Sequence, residues 1–289
     1  MMRIILFLAT NLAIMVVVSL LFNILGLGGA LSAQGINLTS LLMTSAVVGV
    51  TGSLISLAMS KWSAKSAMGV QVIDRPQNQT EQWLVDVVRR QSQQAGIGMP
   101  EVGIFSTPEP NAFATGMNRN SALVAVSTGL LNSMNADEVE AVIGHEITHV
   151  SNGDMVTMAL MQGVLNTFVY FFATVIGYVV DRTIFQNERG QGMGYYLVQM
   201  VAQVALGFLA SILVAWFSRR REFKADAGGA GLAGREKMIN ALRALQRSHE
   251  TPSLPGQFAA FGINSAGFSK LFMSHPPLEE RIAALQNSR

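Results

Sequence analysis

The sequence predicts a mainly α-helical integral membrane protein, in which two transmembrane helical hairpins accompany an α+β domain with a small β-sheet outside the membrane. Only 13% of the 289 residues are charged and half are hydrophobic, whereas a soluble protein usually carries about a quarter charged residues. No charged residue occurs within 4–60, 155–180 or 190–218. The charges crowd instead into 61–154 and 219–289, so the chain alternates between lipid-like and water-like composition.

Four apolar segments are long enough to cross a hydrocarbon core, which takes about 20 helical residues. They are residues 4–25, 38–59, 156–180 and 196–217. A helix in lipid satisfies its own backbone, so such charge-free runs are typical of spanning helices. The first run is too long for a signal peptide, and only Arg3 precedes it.

These segments divide the chain into four parts. Residues 1–60 form an N-terminal transmembrane hairpin, and 155–218 form a second transmembrane or membrane-embedded hairpin. The polar parts, 61–154 and 219–289, are the two halves of one domain. Basic residues flank the apolar segments on one side, which favours a multi-pass protein with both termini and both polar parts in the cytoplasm. Those residues are Arg3, Lys61, Lys65, Arg219, Arg220, Arg221 and Lys224.

Composition also excludes some classes of function. The chain has no cysteine, which rules out disulfides, a thiol nucleophile and thiolate metal ligands. The net charge is only +2 and no basic patch carries interleaved aromatic residues, so nucleic acid is not an expected partner.

The polar parts contain recognisable elements. A helix over 80–95 precedes strands over 101–105, 111–116 and 122–127. Asn135 and Glu138 form a capping-box pattern, which predicts the start of a helix. Residues 220–245 are predicted to be helical, a loop lies near 252–255, and a short final helix follows Pro276 and Pro277.

The helix that starts at Asn135 carries His145, Glu146 and His149 in an H-E-x-x-H pattern. Residues i and i+4 share a helix face, so both imidazoles can bind one Zn²⁺ at about 2.0–2.1 Å. Glu146, one step round the helix, is placed to accept a proton from a water on the metal. The pattern predicts one catalytic zinc ion per chain.

A catalytic zinc site needs a third protein ligand, with water in the fourth position. The candidates are Asp154, Glu222, Asp226, His249 and His275. Glu222 and Asp226 have the best context, because at i and i+4 one can bind zinc while the other orients a ligand histidine. The residues alone do not rank these two, and both could instead pair with nearby arginines on a solvated face.

Longer motifs carry a resemblance to a known family. The H-E-I-T-H-V-S-N-G-D run at 145–154, then an apolar hairpin and R-E-F-K-A-D at 221–226, resemble the HtpX family of bacterial membrane zinc metalloproteases, which are related to the CAAX prenyl proteases. The resemblance spans nearly the whole chain. It includes M-S-K-W at 59–62, N-A-F-A-T-G at 111–116, V-A-V-S-T-G-L-L at 124–131, W-F-S-R at 216–219 and F-M-S-H-P-P-L at 272–278.

The resemblance implies a zincin-like (gluzincin) catalytic domain and a role for each matched residue. Glu222 becomes the third zinc ligand and Asp226 the residue that orients His145. Asn111 and Ala112 belong to an edge strand that pairs with an extended peptide substrate. His275 stabilises the tetrahedral oxyanion. Arg281 has either a structural or a catalytic role, and His249 is expected at the surface.

The resulting hypothesis is a zinc-dependent endopeptidase of the bacterial inner membrane with its active site on the cytoplasmic side. Its expected substrates are membrane proteins or unfolded polypeptides. The resemblance implies stress-linked quality control, with other membrane quality-control proteases as candidate partners. Two alternatives remain. A membrane scaffold or holdase would hold a structural zinc ion with four protein ligands. An intramembrane protease would carry its catalytic residues within a span.

Overall fold

The computed structural model describes residues 2–24, 36–187, 191–249 and 275–287, with three single positions between the first two ranges. The described helices are α1 (Met2–Ile24), α2 (Leu38–Met68), α3 (Gln79–Gln94), α4 (Thr128–Ser133), α5 (Ala136–Asn152), α6 (Asp154–Thr183), α7 (Met193–Ala233), α8 (Arg235–His249) and α9 (Leu278–Asn287). The described strands are β1 (Gln71–Val72), β2 (Glu101–Phe105), β3 (Ala112–Asn118) and β4 (Ser121–Ser127).

The chain forms two compact units. The first consists of Met1–Ser56 and Thr157–Val214, and the second consists of Leu57–Val156 and Ala215–Arg289. The unit bounds fall inside α2, α6 and α7, because each of these helices continues past its apolar section into polar sequence. All the residues of the candidate site described below belong to the second unit.

Three helices are long and apolar enough to cross a membrane, namely α2, α6 and α7. The first predicted span is represented by a shorter apolar helical stretch, Met15–Ile24, because only its described residues are counted. The prediction of a mainly α-helical integral membrane protein with a small sheet is confirmed. The prediction of two full hairpins is inexact, because three helices of the described part of the chain, not four, are long and apolar enough to cross a membrane.

Small residues bring α2 and α6 together within the first unit. A side chain on Gly49 would lie 2.5 Å from Thr167 Oγ1 and 2.7 Å from the carbonyl oxygen of Gly163. The Oγ of Ser53 lies against Gly163 in the same way. Such small contact residues let two helices approach closely in lipid, where packing replaces the hydrophobic effect.

The second unit is built on a mixed four-stranded sheet in the order β1-β2-β4-β3. β2 pairs with β4 in parallel, while β1 and β3 pair antiparallel with their neighbours. The three longer strands confirm the predicted ones to within two residues, whereas β1 was not predicted. β4 is buried along its length, and β3 forms an edge of the sheet over the described residues.

Helix α5 follows from its sequence pattern. The Asn135 side chain accepts a hydrogen bond from the Glu138 N–H, and the Glu138 carboxylate accepts one from the Asn135 N–H, both at 3.0 Å. The predicted capping box is therefore confirmed. The apolar face of α5, with Val139, Ile143 and Ile147, is buried against α3, the sheet and α8. This helix packs in a protein core and presents that face to protein.

The region predicted as one helix over 220–245 is two helices. α7 continues from its apolar section as far as Ala233, and α8 begins at Arg235. Gly234 between them has φ of +109°, a conformation that favours glycine and ends the first helix. The final helix after Pro276 and Pro277 is confirmed as α9. The predicted loop near 252–255 lies outside the described residues.

Candidate metal centre

Three side chains from two helices meet at one point. His145 and His149 project from α5, and Glu222 projects from α7. One ligand atom of each lies within 4.8 Å of the others, which makes the group suitable for a metal ion. Glu222 is only 2% exposed, and its carboxylate faces the imidazoles of both histidines. A buried carboxylate is costly unless a cation lies beside it.

The distances fit a tetrahedral ion. Zinc bonds of about 2.0–2.1 Å place two tetrahedral ligand atoms about 3.3 Å apart. The two Nε2 atoms of His145 and His149 are 3.1 Å apart. Glu222 Oε2 lies 3.4 Å from His145 Nε2, and Glu222 Oε1 lies 3.4 Å from His149 Nε2. Two imidazoles with one carboxylate are also the donor set of several catalytic zinc sites.

The surrounding charges favour a cation at this point. Burial by itself lowers the pKa of His149, but its bonds with Asp154 and Glu222 raise that pKa from 6.5 to about 10. Burial likewise lowers the pKa of His145, and its bonds with Asp226 and Glu222 give a net rise in pKa. The carboxylates thus stabilise positive charge beside the imidazoles, as a bound metal ion requires.

His145 is oriented from its other ring nitrogen. Its Nδ1 lies 3.0 Å from Asp226 Oδ1. Arg281 of α9 is buried and binds Asp226 at both oxygens, with Nε donating to Oδ2 at 2.7 Å and Nη2 donating to Oδ1 at 2.6 Å. Arg281 Nη1 also lies 3.5 Å from Glu222 Oε2. The structure therefore places Asp226 against His145 and Arg281 against Asp226, in a contact that the sequence left open.

His149 has a carboxylate of its own. Its Nδ1 lies 2.7 Å from Asp154 Oδ2, and Asp154 is the first residue of α6. Sequence reasoning included Asp154 only among the possible third ligands. In the structure, Asp154 and Asp226 each contact an Nδ1 atom, while Glu222 is the carboxylate near both Nε2 atoms. The signal in the sequence that could have indicated this role is an aspartate directly after Gly153, the glycine that ends the helix with both histidines.

Glu146 and His275 flank the cluster. Glu146 follows His145 on α5 and is partly exposed. His275 is largely exposed, and its Nδ1 lies 2.8 Å from Glu222 Oε2. The predicted catalytic pair thus lies next to the predicted ligands. His249 is the last residue of α8, and its side chain lies outside the described residues.

Among the described residues, the β3 edge has backbone groups that face away from the sheet. The Ser127 N–H donates to the Asn111 carbonyl oxygen at 2.8 Å, so the backbone of Asn111 faces β4. Because backbone groups alternate in an antiparallel pair, Ala112 and Ala114 then direct their N–H and C=O groups away from β4. These are the groups with which an extended peptide could pair.

Glycines set the distance between α5 and α7. A side chain on Gly229 would lie 2.9 Å from the backbone nitrogen of His145, and one on Gly144 would lie 3.2 Å from the Gly229 carbonyl oxygen. Gly228 lies against the side chain of Thr148. The two helix backbones therefore meet one residue away from a metal ligand, and this close approach carries Glu222 to the histidines.

Comparison with known proteins finds a matching family and full-length relatives. The sequence model of Peptidase family M48 matches residues 78–289. Protease HtpX of Thioalkalivibrio sulfidiphilus is 61% identical over 289 residues, 98% of each chain. A Protease HtpX homolog of Nitrosomonas europaea is 59% identical over 290 residues, 99% of each chain.

A solved structure shares the fold. The crystal structure of S. mikatae Ste24p superposes with a TM-score of 0.62 at 18% sequence identity, over 93% of this chain. The chain spans 66% of the length of that protein. From the matched residues and the full-length relatives, the chain belongs to peptidase family M48, among the HtpX-type membrane metallopeptidases.

Proposed function

We propose that this protein is a zinc-dependent endopeptidase of the bacterial inner membrane that cleaves misfolded or damaged membrane proteins on the cytoplasmic side under stress. The observation that carries the proposal is the metal-ligand group of His145, His149 and Glu222, with Glu146 beside it on α5. Zinc is favoured over harder cations because two of the three donors are imidazoles.

Bound zinc would supply Lewis acidity, which activates a water molecule and polarises a carbonyl group. The residues of the chain do the rest. Glu146 would accept the proton of the attacking water at its carboxylate and deliver it to the leaving amine. His275, at the exposed side of the cluster, would donate a hydrogen bond to the developing oxyanion.

The proposed substrates follow from the β3 edge and the apolar helices. An extended polypeptide that pairs with the outward backbone groups of Ala112 and Ala114 is held by sequence-independent hydrogen bonds. Such binding suits unfolded segments, whose backbone is free to pair. The ligand helix α7 also carries an apolar section long enough to span a membrane, which favours substrates in or near the bilayer. The basic residues next to the spans favour a cytoplasmic site.

Two features weigh against the other hypotheses. A structural zinc site needs four protein ligands, and the described residues bring three into the group. An intramembrane site would carry its ligands within a span, yet α5, which carries both histidines, is not one of the three described helices long and apolar enough to cross a membrane. Both observations support an open catalytic site outside the hydrocarbon region.

The test compares the full-length protein with Glu146→Gln in lipid nanodiscs, using a fluorescently labelled unfolded membrane protein as substrate. The variant should keep its zinc and lose about 10²–10⁴-fold in kcat. Asp137→Asn serves as the control, because it removes an exposed carboxylate from the same helix. A zinc-loaded Glu146→Gln protein with undiminished cleavage would sink the assignment. A wild-type protein that binds zinc and never cleaves would favour the scaffold.

A further inference from the structure

Asp154 occupies a position beside His149 that matches the position of Asp226 beside His145. Each aspartate lies within 3.0 Å of an Nδ1 atom, and each is buried. We propose that Asp154 is a positioning residue, which holds His149 in the ring orientation and tautomer that metal binding requires. The inference deepens the proposed zinc site, and it rests on that site.

The tautomer follows from the contact. A carboxylate accepts hydrogen bonds, so the His149 nitrogen 2.7 Å from Asp154 Oδ2 carries the proton and donates it. The lone pair of the neutral ring is then on Nε2, the atom that faces His145 and Glu222. Without Asp154, His149 would be free to protonate Nε2 or to rotate its ring. Carboxylates that orient a ligand histidine in this way also raise its basicity towards a metal.

The backbone conformation at the end of α5 places the Asp154 side chain within contact of His149. Helix α5 ends at Gly153, which has φ of +64° and donates its N–H to the Val150 carbonyl oxygen at 2.9 Å. This left-handed cap ends α5 and changes the direction of the chain. The next residue is Asp154, so its side chain returns over the last turn of α5 and meets His149.

Arginines hold the two aspartates unequally. Arg281 binds Asp226 with two short hydrogen bonds. Arg221 Nη1 lies 3.7 Å from Asp154 Oδ2, and Arg221 also donates to the Ser218 hydroxyl at 3.3 Å. Asp154 thus has the looser support. We therefore expect its loss to weaken metal binding less than the loss of Asp226.

A purely structural role is the competing reading. An acidic residue in the first turn of a helix interacts favourably with the helix dipole, and Asp154 would then stabilise α6 without any effect on the metal. The two readings differ in what they predict for metal affinity. The dipole contribution is present with or without the ion, whereas orientation of His149 changes the dissociation constant for zinc.

The experiment measures the zinc Kd of the purified full-length protein by chelator competition, for Asp154→Ala, Asp154→Asn and Asp137→Asn. We expect Asp154→Ala to weaken binding by about 10–100-fold. Asp154→Asn keeps an oxygen that can accept the hydrogen bond but loses the charge, so a smaller loss is expected. The Asp137 variant should match the wild type. Visible absorption of the cobalt-substituted Asp154 variants should also shift, because the ligand field at His149 changes.

Wild-type zinc affinity in both Asp154 variants would overturn the proposal, even if the melting temperature of the metal-free protein fell. If Asp154→Ala does not fold, Asp154→Asn decides alone, and a wild-type Kd for it overturns the proposal. Weakened zinc binding in a protein whose wild type does not cleave would support the role of Asp154 and contradict the proposed endopeptidase. The two failures are therefore distinguishable.

Discussion

Gly228 of α7 is the position where a single methyl group should disturb the metal centre. A Cβ at Gly228 would lie 2.3 Å from Thr148 Cγ2 and 2.6 Å from Thr148 Oγ1. Ordinary contacts of this kind begin at 3.4 Å, so the methyl group is about 1.1 Å too close. Thr148 is buried and its hydroxyl donates to the Gly144 carbonyl oxygen at 2.8 Å, which restricts its movement. Gly228→Ala must therefore push α7 away from α5 or break this bond.

The cost divides between stability and metal binding. Overpacking typically destabilises by about 1–3 kcal/mol, and alanine recovers up to about 1 kcal/mol through its higher helix propensity. The net loss of unfolding free energy is thus about 0–3 kcal/mol. Glu222 lies six residues earlier on the same helix, so it moves with α7. Since metal sites hold their distances to about 0.2 Å, a shift near 1 Å should weaken zinc binding by at least about tenfold.

The assay combines thermal unfolding with the zinc Kd from chelator competition. Gly231→Ala on the same helix is the matched control, because a Cβ there would meet no neighbouring element of the described residues within 4 Å. It should leave the Kd unchanged and raise stability slightly. Thr148→Ala in the Gly228→Ala background removes the two clashing atoms and should restore much of the affinity. A Gly228→Ala protein with wild-type zinc affinity would refute the argument that this helix contact places Glu222.

Three further predictions concern the surroundings of the site. Arg281→Met leaves Asp226 buried without its partner and should cost about 3–5 kcal/mol in denaturant unfolding; adding Asp226→Asn should recover part of it, and no recovery would contradict the pairing. Although burial lowers it, neighbouring carboxylates raise the pKa of His149 from 6.5 to about 10. The protonated His149 therefore stabilises the folded metal-free protein fully below pH 6.5, and this contribution to stability is lost as the pH rises towards 10. The melting temperature of the metal-free protein should fall across this range, and His149→Asn should flatten the plot of melting temperature against pH. Ala112→Pro removes an outward N–H and should raise KM for a peptide in steady-state assays without changing zinc affinity; an unchanged KM would exclude this edge as the binding strand.

Elements governed by local patterns were predictable from the sequence. The capping box of Asn135 and Glu138 identified the start of α5, because both hydrogen bonds form within one turn. The spacing of His145 and His149 placed both imidazoles on one face of that helix. Strands β2 and β4 followed from short apolar runs. Each of these features depends on residues that are neighbours in the chain.

Features that depend on long-range packing were not predictable from the residues alone, without the family resemblance. The sequence separates His145 from Arg281 by 136 residues, so nothing local indicates that Arg281 reaches the carboxylate that orients His145. The choice between Glu222 and Asp226 depended on which carboxylate faces the Nε2 atoms, and one helix turn separates the two. The end of α7 at Ala233 was missed because residues on both sides of Gly234 have helical patterns.

The ionisable groups buried around the metal centre compensate one another's charges. Glu222, Asp226, Asp154 and Arg281 are all at most 8% exposed, and burying charge is costly unless partners compensate for it. Around the cluster, the carboxylates of Glu146, Asp154, Glu222 and Asp226 oppose the guanidinium groups of Arg221 and Arg281. With both imidazoles neutral, this set carries two negative charges, which one divalent cation neutralises. Two protons on the imidazoles balance the same charge, which is why the pKa of each histidine is raised. Zinc binding should therefore displace protons from the site, and the charge balance by itself favours one divalent ion per chain.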